Sequence, residues 1–223
     1  MINKNEFLEK SKEIINNILT NIENLQSLNL NSLKKDETAL IIVDMVNGFT
    51  KEGILSSPRI NNLIPEIVRI KKMCSNLGIE IIAIADTHTN NSIEFESYPP
   101  HCLEKTNECE VVDELECFDL QIFKKNSTNA FFQRGFRNWI DNNFERKNFI
   151  VVGDCTDICI QQLALSIKAY FNQLNIKTQV IVPINAVDTY DLGDHSGDLM
   201  NLMALYNMSI NGIKLVKSIE EKI

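Results

Sequence analysis

Asp44 closes the apolar run Ala39-Leu40-Ile41-Ile42-Val43, so a carboxylate stands where a buried strand is expected to meet its loop. Such a residue can accept a proton in catalysis or simply cap the turn that follows. Asp86-Thr87-His88 follows a second apolar run in the same way, and His101 comes after Tyr98-Pro99-Pro100, with Glu94 and Glu96 in between. Imidazoles and carboxylates together are ligands for a divalent transition metal, although a loop of polar residues can also just face water. Two of the chain's three histidines in one such loop favour the metal. Gly153-Asp154-Cys155-Thr156-Asp157-Ile158-Cys159 joins a third apolar run to a helical segment. If Thr156 or Asp157 caps that helix, Cys159 falls in its first turn, where the backbone dipole favours a thiolate. The other reading of Cys159 is a small hydrophobe facing the sheet. Lys125, in Lys124-Lys125-Asn126-Ser127-Thr128-Asn129-Ala130-Phe131, also follows an apolar run, and a lysine there is ordinarily solvated. His195, after Asp191, Gly193 and Asp194, reads as a capping or packing residue outside the site.

These residues need a frame that brings strand ends together. Strand-length apolar runs occupy Ala39 to Val43, Glu80 to Ala85, Gln121 to Phe123, Phe149 to Gly153, Gln179 to Pro183 and Lys214 to Val216. Helix-period segments alternate with them near Arg59 to Leu77, Gln133 to Asn143, Asp157 to Leu174 and Ser196 to Met208. Unbroken Val/Ile-rich strands interleaved with helices predict a doubly wound, Rossmann-like α/β fold: a parallel sheet of about six strands covered on both faces. Its active site is expected at the carboxyl ends of the strands. Asp86 to Asp119 fits neither period and is expected to be a long functional loop. Asn5 to Gln26 carries Phe7, Ile14, Ile15, Ile18 and Leu19 at helical spacing and predicts an N-terminal amphipathic helix. The expected division is a helical extension over residues 1–36 and a catalytic domain over 37–223.

Composition narrows the function classes. A formal net charge of -8 in 223 residues argues against nucleic acid as a partner, since binding phosphates draws on clustered Lys and Arg. No apolar run approaches the ~20 residues of a membrane span, and the polar start is unlike a signal peptide. A cytoplasmic protein without a membrane partner is expected. Its six cysteines, Cys74, Cys102, Cys109, Cys117, Cys155 and Cys159, read as reduced thiols, because a chain of this size builds its core without bridges.

Taken in order, Ile41-Ile42-Val43-Asp44-Met45-Val46-Asn47-Gly48-Phe49, Asp86-Thr87-His88, Tyr98-Pro99-Pro100-His101, the segment from Lys125 to Phe131 and the segment from Gly153 to Cys159 resemble the motif set of the isochorismatase-like cysteine hydrolases. The resemblance covers Ala39 to the C-terminus. It implies a catalytic group in which Asp44 is the general base, Cys159 the attacking thiolate and Lys125 an aid to thiolate formation. It also implies a cis peptide between Asp154 and Cys155, with the backbone amides of Cys155 and Cys159 forming an oxyanion hole.

The Asp-x-His motif with a later Pro-Pro-His is similar to the nicotinamidase branch. On that match Asp86, His88, Glu94 and His101 hold a divalent metal (zinc, iron or manganese), and Phe49 and Tyr98 contact a pyridine ring. The implied reaction is hydrolysis of nicotinamide to nicotinate and ammonia through an acyl-thioester on Cys159. The alternatives are another small amide or a ureide, or a binding module without turnover. A small amide and further copies of the chain are the expected partners. The pattern departs from the branch at Tyr98, where Trp is common, at Asp154-Cys155, where an apolar pair is usual, and at Ala130, where Ser or Gly is common.

Overall fold

In the computed structural model, which describes residues 3–115 and 120–221, the run Thr-Ala-Leu-Ile-Ile-Val forms strand β2 (Thr38–Val43), and all of its side chains are buried. A strand with no wet face belongs at the centre of a covered parallel sheet. It lies there, in a six-stranded parallel sheet of order β4-β3-β2-β5-β6-β7. The other members are β3 (Glu80–Asp86), β4 (Gln121–Lys125), β5 (Asn148–Gly153), β6 (Gln179–Pro183) and β7 (Lys214–Val216). The doubly wound expectation therefore holds, and the strand positions agree with the apolar runs to within a residue or two.

The two faces of β2 feed two cores. Leu40 and Ile42 pack with Ile67, Ile70 and Cys74 of helix α4 (Ile64–Asn76). Ala39, Ile41 and Val43 pack on the opposite side with helices α5 (Arg134–Asn142), α6 (Gln161–Gln173) and α7 (Gly197–Ile210). Truncating a fully buried residue such as Ile41 to Ala would cost roughly 2 to 5 kcal/mol.

The chain lays β2, β3 and β4 outward in one direction and then returns to the other side of β2 with β5 to β7. This reversal opens a crevice between the carboxyl ends of β2 and β5, the place where open α/β sheets bind ligands. Gly153 ends β5 with φ 117°, and a Cβ there would sit 1.9 Å from the carbonyl oxygen of Val43, so only glycine lets the two strand ends approach this closely.

Several expectations are corrected. The predicted helix over Arg59 to Leu77 is broken into α3 (Pro58–Asn61) and α4, because Pro65 falls in the first turn of α4 and restricts the residue before it. A short helix α2 (Asn47–Thr50) follows Asp44, and the long loop contains 3₁₀ turns at Ile93–Glu96, Asn107–Cys109 and Asp113–Leu115. A small parallel pair joins β1 (Leu28–Asn29) to β8 (Ile219–Glu220), tying the segment before the main sheet to the end of the chain. Helix α1 (Lys4–Glu23) forms with Asn3 as its cap, but only Ile18 is buried, and Phe7, Leu8, Ile14 and Leu19 are exposed. No helix among the described residues is long and apolar enough to cross a membrane. The five described cysteines are free, and Cys117 lies outside the described residues.

Candidate active site

The register of the sheet assembles the first group of residues. Lys125 is the partner of Asp86 across β4 and β3, and Asp44 leaves β2 directly beside β3. Lys125 is buried, with Nζ 2.7 Å from Asp86 Oδ1, 2.9 Å from Asp44 Oδ2 and 3.8 Å from Cys159 Sγ. Lys124 is half exposed and lies 3.6 Å from Glu110, away from the buried group that Lys125 joins.

Asp44 takes a left-handed backbone, φ 55°, which Asp tolerates better than most residues. Its contact with Lys125 is a charge contact without an aligned hydrogen bond, and neither carboxylate oxygen accepts one. Burial pushes its carboxyl up to about 6, with Asp86 adding to the rise and Lys125 opposing it. A buried carboxylate with unused acceptor capacity and an affinity for protons near neutrality is suited to general-base work.

Burial acts against charge on Lys125 too, but Asp44, Asp86 and Cys159 lift its ammonium well above the ordinary range, so it stays protonated. Burial alone would also raise Asp86, yet Lys125 and the two imidazoles hold it well below the usual carboxylate range.

Cys159 is not in the first turn of an α-helix. Thr156–Ile160 forms a π-turn, closed by the Ile160 amide donating to Cys155 O at 3.1 Å, and α6 begins after it. The cap position is Cys155 rather than Thr156 or Asp157, and no side chain caps it. The expectation of a depressed thiol pKa is also corrected. Burial pushes the Cys159 thiol well up, Lys125 opposes this, and the Asp44, Asp86 and Asp154 carboxylates add to the rise. Ionising the Cys159 thiol would therefore call for a base. The Asp154-Cys155 peptide is cis, and among the described residues the Cys155 amide donates to no backbone carbonyl.

The second group is the candidate ligand set. One ligand atom from each of Asp86, His88, Glu94 and His101 lies within 4.8 Å of the others. Asp86 Oδ2 is 2.9 Å from His88 Nε2 and 3.1 Å from His101 Nε2, and Glu94 Oε1 is 3.6 Å from His88 Nε2. The outer ring nitrogens are engaged: His88 Nδ1 lies 2.9 Å from Asn126 Oδ1, and His101 Nδ1 lies 2.8 Å from Pro99 O. With the Nδ1 protons given to those oxygens, both Nε2 atoms present lone pairs to Asp86 and Glu94. Converging acceptors of this kind call for a cation, and an imidazole oriented by an outer hydrogen bond is the usual support of a metal ligand. The residues present therefore fit a divalent metal.

Both groups open on one cavity of about 220 Å³, lined by Asp86, Glu94, His101, Cys155 and Cys159 and walled by Phe49 and Tyr98. The rings of Phe49 and Tyr98 are centred 5.5 Å and 6.3 Å from that of His101. Some contributors were not foreseen. Phe95 packs edge-on against both ligand histidines, at 5.2 Å and 5.8 Å, and Asp154 and Tyr190 line the cavity. Asn126 directly follows Lys125, so its place in the motif was a usable signal. Tyr190 carried none.

A family model of the Isochorismatase domain matches residues 38–211, and the chain belongs to that family. Within it the chain is a nicotinamidase-like hydrolase. It is 26% identical to "Nicotinamidase 1" of Arabidopsis thaliana, over 84% of this chain and 88% of that protein. A second Arabidopsis thaliana relative, named "Probable inactive nicotinamidase", is 24% identical over 56% of this chain and 69% of its own length. The structure of the Pyrococcus horikoshii pyrazinamidase in complex with zinc superimposes with a TM-score of 0.68 at 26% identity, covering 81% of this chain and 99% of that one.

Proposed function

We propose that this protein is a metal-containing cysteine amidohydrolase of the cytoplasm that converts nicotinamide to nicotinate and ammonia. One observation carries the reading: Lys125 Nζ lies against Asp44, Asp86 and Cys159, and Asp86 belongs at the same time to the metal-ligand set on the same cavity.

Asp44 takes the proton of Cys159 Sγ, and the thiolate attacks the carbon of the amide. The C=O electron pair moves to oxygen, where the amides of Cys155 and Cys159 stabilise the oxyanion by ~3 to 4 kcal/mol per donor. Asp44 returns the proton to the amide nitrogen, the C–N bond breaks, and ammonia leaves a thioester on Cys159. Water then gives a proton to Asp44 as its oxygen attacks the thioester, and the acid departs while the thiol is restored. Lys125 keeps its charge throughout and holds Asp44 and Asp86 in place. Asp86, His88, Glu94 and His101 would hold the metal, which as a Lewis acid supplies an attachment point for the substrate's ring nitrogen. Phe49 and Tyr98 flank the ring.

A second reading, the same thioester chemistry on another small amide or a ureide, is favoured by Asp154, a buried acid among the cavity-lining residues where the branch usually has an apolar residue. A binding module without turnover would not need Asp44, Lys125 and Cys159 brought together. Product analysis over a panel of nicotinamide, acyclic amides and carbamoyl compounds, with metal-replete protein, separates these readings. Ammonia and nicotinate from nicotinamide, at rates far above those for the other compounds, are the expected result. Turnover confined to a carbamoyl compound would establish the second reading instead.

A further inference from the structure

Tyr190 lies on the loop between β6 and α7, just before the exposed residues 191–194. An aromatic side chain on such a loop would ordinarily change rotamer freely. Contacts from three sides fix this one. Thr156 N donates to Asp188 O at 3.0 Å, tying the loop to the turn that carries Cys159. Arg59 Nε donates to Thr189 O at 2.9 Å, and Arg59 Nη2 to Asp188 Oδ1 at 2.8 Å. The imidazole of His195 then lies flat on the Tyr190 ring, with centroids 4.0 Å apart and planes inclined by 8°.

His195 is itself held through both nitrogens. Nδ1 is 2.9 Å from Tyr190 O, and Nε2 is 2.8 Å from Asp157 Oδ2. Asp157 sits in the same π-turn as Cys159, so the stack is referenced to the nucleophile rather than to the solvent-facing loop. One face of Tyr190 is taken by His195, and Tyr190 is among the residues that line the cavity. Building on the ring-amide reading above, we propose that Tyr190 is a specificity-determining residue that receives the planar ring of the substrate, and that His195 and Asp157 are positioning residues that hold it there.

The physical advantage is preorganisation. A ring fixed before binding loses little freedom when a second ring packs against it, so the aromatic contact is realised as affinity. An acyclic amide has no flat surface to use the contact and should be indifferent to it. The proposal is thus a statement about selectivity between two classes of amide.

The test is calorimetric binding to metal-loaded Cys159→Ala protein, with nicotinamide and propionamide as ligands, beside turnover of the same pair by protein that retains Cys159. Tyr190→Ala is expected to weaken nicotinamide binding about tenfold, while propionamide changes by less than about twofold. In turnover KM for nicotinamide should rise by a similar factor with kcat nearly unchanged. Tyr190→Phe, which keeps the ring, should behave as the parent. His195→Ala should lose part of the selectivity, and His195→Phe, which restores a flat partner, should recover most of it. Equal weakening for both ligands, or none for either, in a Tyr190→Ala protein with a normal thermal transition would overturn the proposal. So would a failure of the parent to bind nicotinamide. A parent that binds nicotinamide without hydrolysing it would sink the amidase reading alone, since the binding comparison would still report on Tyr190.

Discussion

Lys125 Nζ lies 2.7 Å from Asp86 Oδ1, while the other oxygen of the same carboxylate faces His88 and His101. One aspartate thus serves two assemblies, balancing the buried ammonium on one side and completing the metal-ligand set on the other. A nucleophile at Cys159 and a metal on the ligand set would be coupled through it. Perturbing either assembly should be felt in the other.

Lys125→Met removes the one cation that, among the described residues, contacts Asp44, and leaves the Asp44 and Asp86 carboxylates in a buried site without their shared counter-charge. A loss of roughly 3 to 5 kcal/mol in folding stability is expected from breaking such a buried arrangement. Alkylation of Cys159 by iodoacetamide should shift to higher pH, because Lys125 is the group that favours the thiolate. Lys124→Met should change neither property. Denaturant unfolding and the pH dependence of alkylation, followed by mass spectrometry on the Cys159 peptide, read both effects. A shifted profile in Lys124→Met beside a normal one in Lys125→Met would reverse the assignment.

The acid limb of the activity profile should belong to Asp44. Its carboxyl is pushed up to about 6 by burial, so it is protonated below that pH and cannot accept the thiol proton, and it is ionised and competent above it. kcat/KM is expected to fall about tenfold per unit as the pH drops below that value. Asp44→Asn should retain at most a trace of activity, without this limb. A wild-type profile that stays flat to about pH 4.5 would assign the base to another residue.

The ligand set predicts about one divalent transition metal per chain in the purified protein. His88→Ala and His101→Ala should abolish its retention, since each removes an imidazole whose outer nitrogen is already oriented. Glu94→Ala should weaken binding less, because Glu94 Oε1 is the more distant donor and its other oxygen accepts from Thr128 N at 2.9 Å. Elemental analysis of the three variants checks the order. Retained metal in both histidine variants would place the ion elsewhere.

Much of this architecture was legible because buried parallel strands are written as unbroken apolar runs. Ala39 to Val43 and Phe149 to Gly153 are such runs, and Asp44 and Cys159 follow them at the carboxyl ends where the site is expected, whereas the crevice between the two strands follows only from the strand order. Lys125 was harder, since a lysine after an apolar run reads as solvated, and its burial depends on the β3–β4 register that pairs it with Asp86. The thiol pKa went the other way from the first-turn argument, because the segment is a π-turn and because burial and three nearby carboxylates outweigh a backbone dipole. His195 was set aside for lack of a nearby partner in sequence. Its partner Asp157 is 38 positions away and meets it only once the β6–α7 loop folds over the nucleophile turn.

The central claim is that the amide carbon passes through a covalent bond to Cys159, and it can be seen directly. Metal-replete protein turning over nicotinamide is quenched in acid, digested, and examined by mass spectrometry for a nicotinoyl thioester. The account predicts the modification on the peptide containing Cys159, its disappearance when substrate is exhausted, and neither adduct nor ammonia with Cys159→Ala. Sustained ammonia release by Cys159→Ala at a rate near that of the unmodified chain, or an acyl group found on another residue, would contradict it.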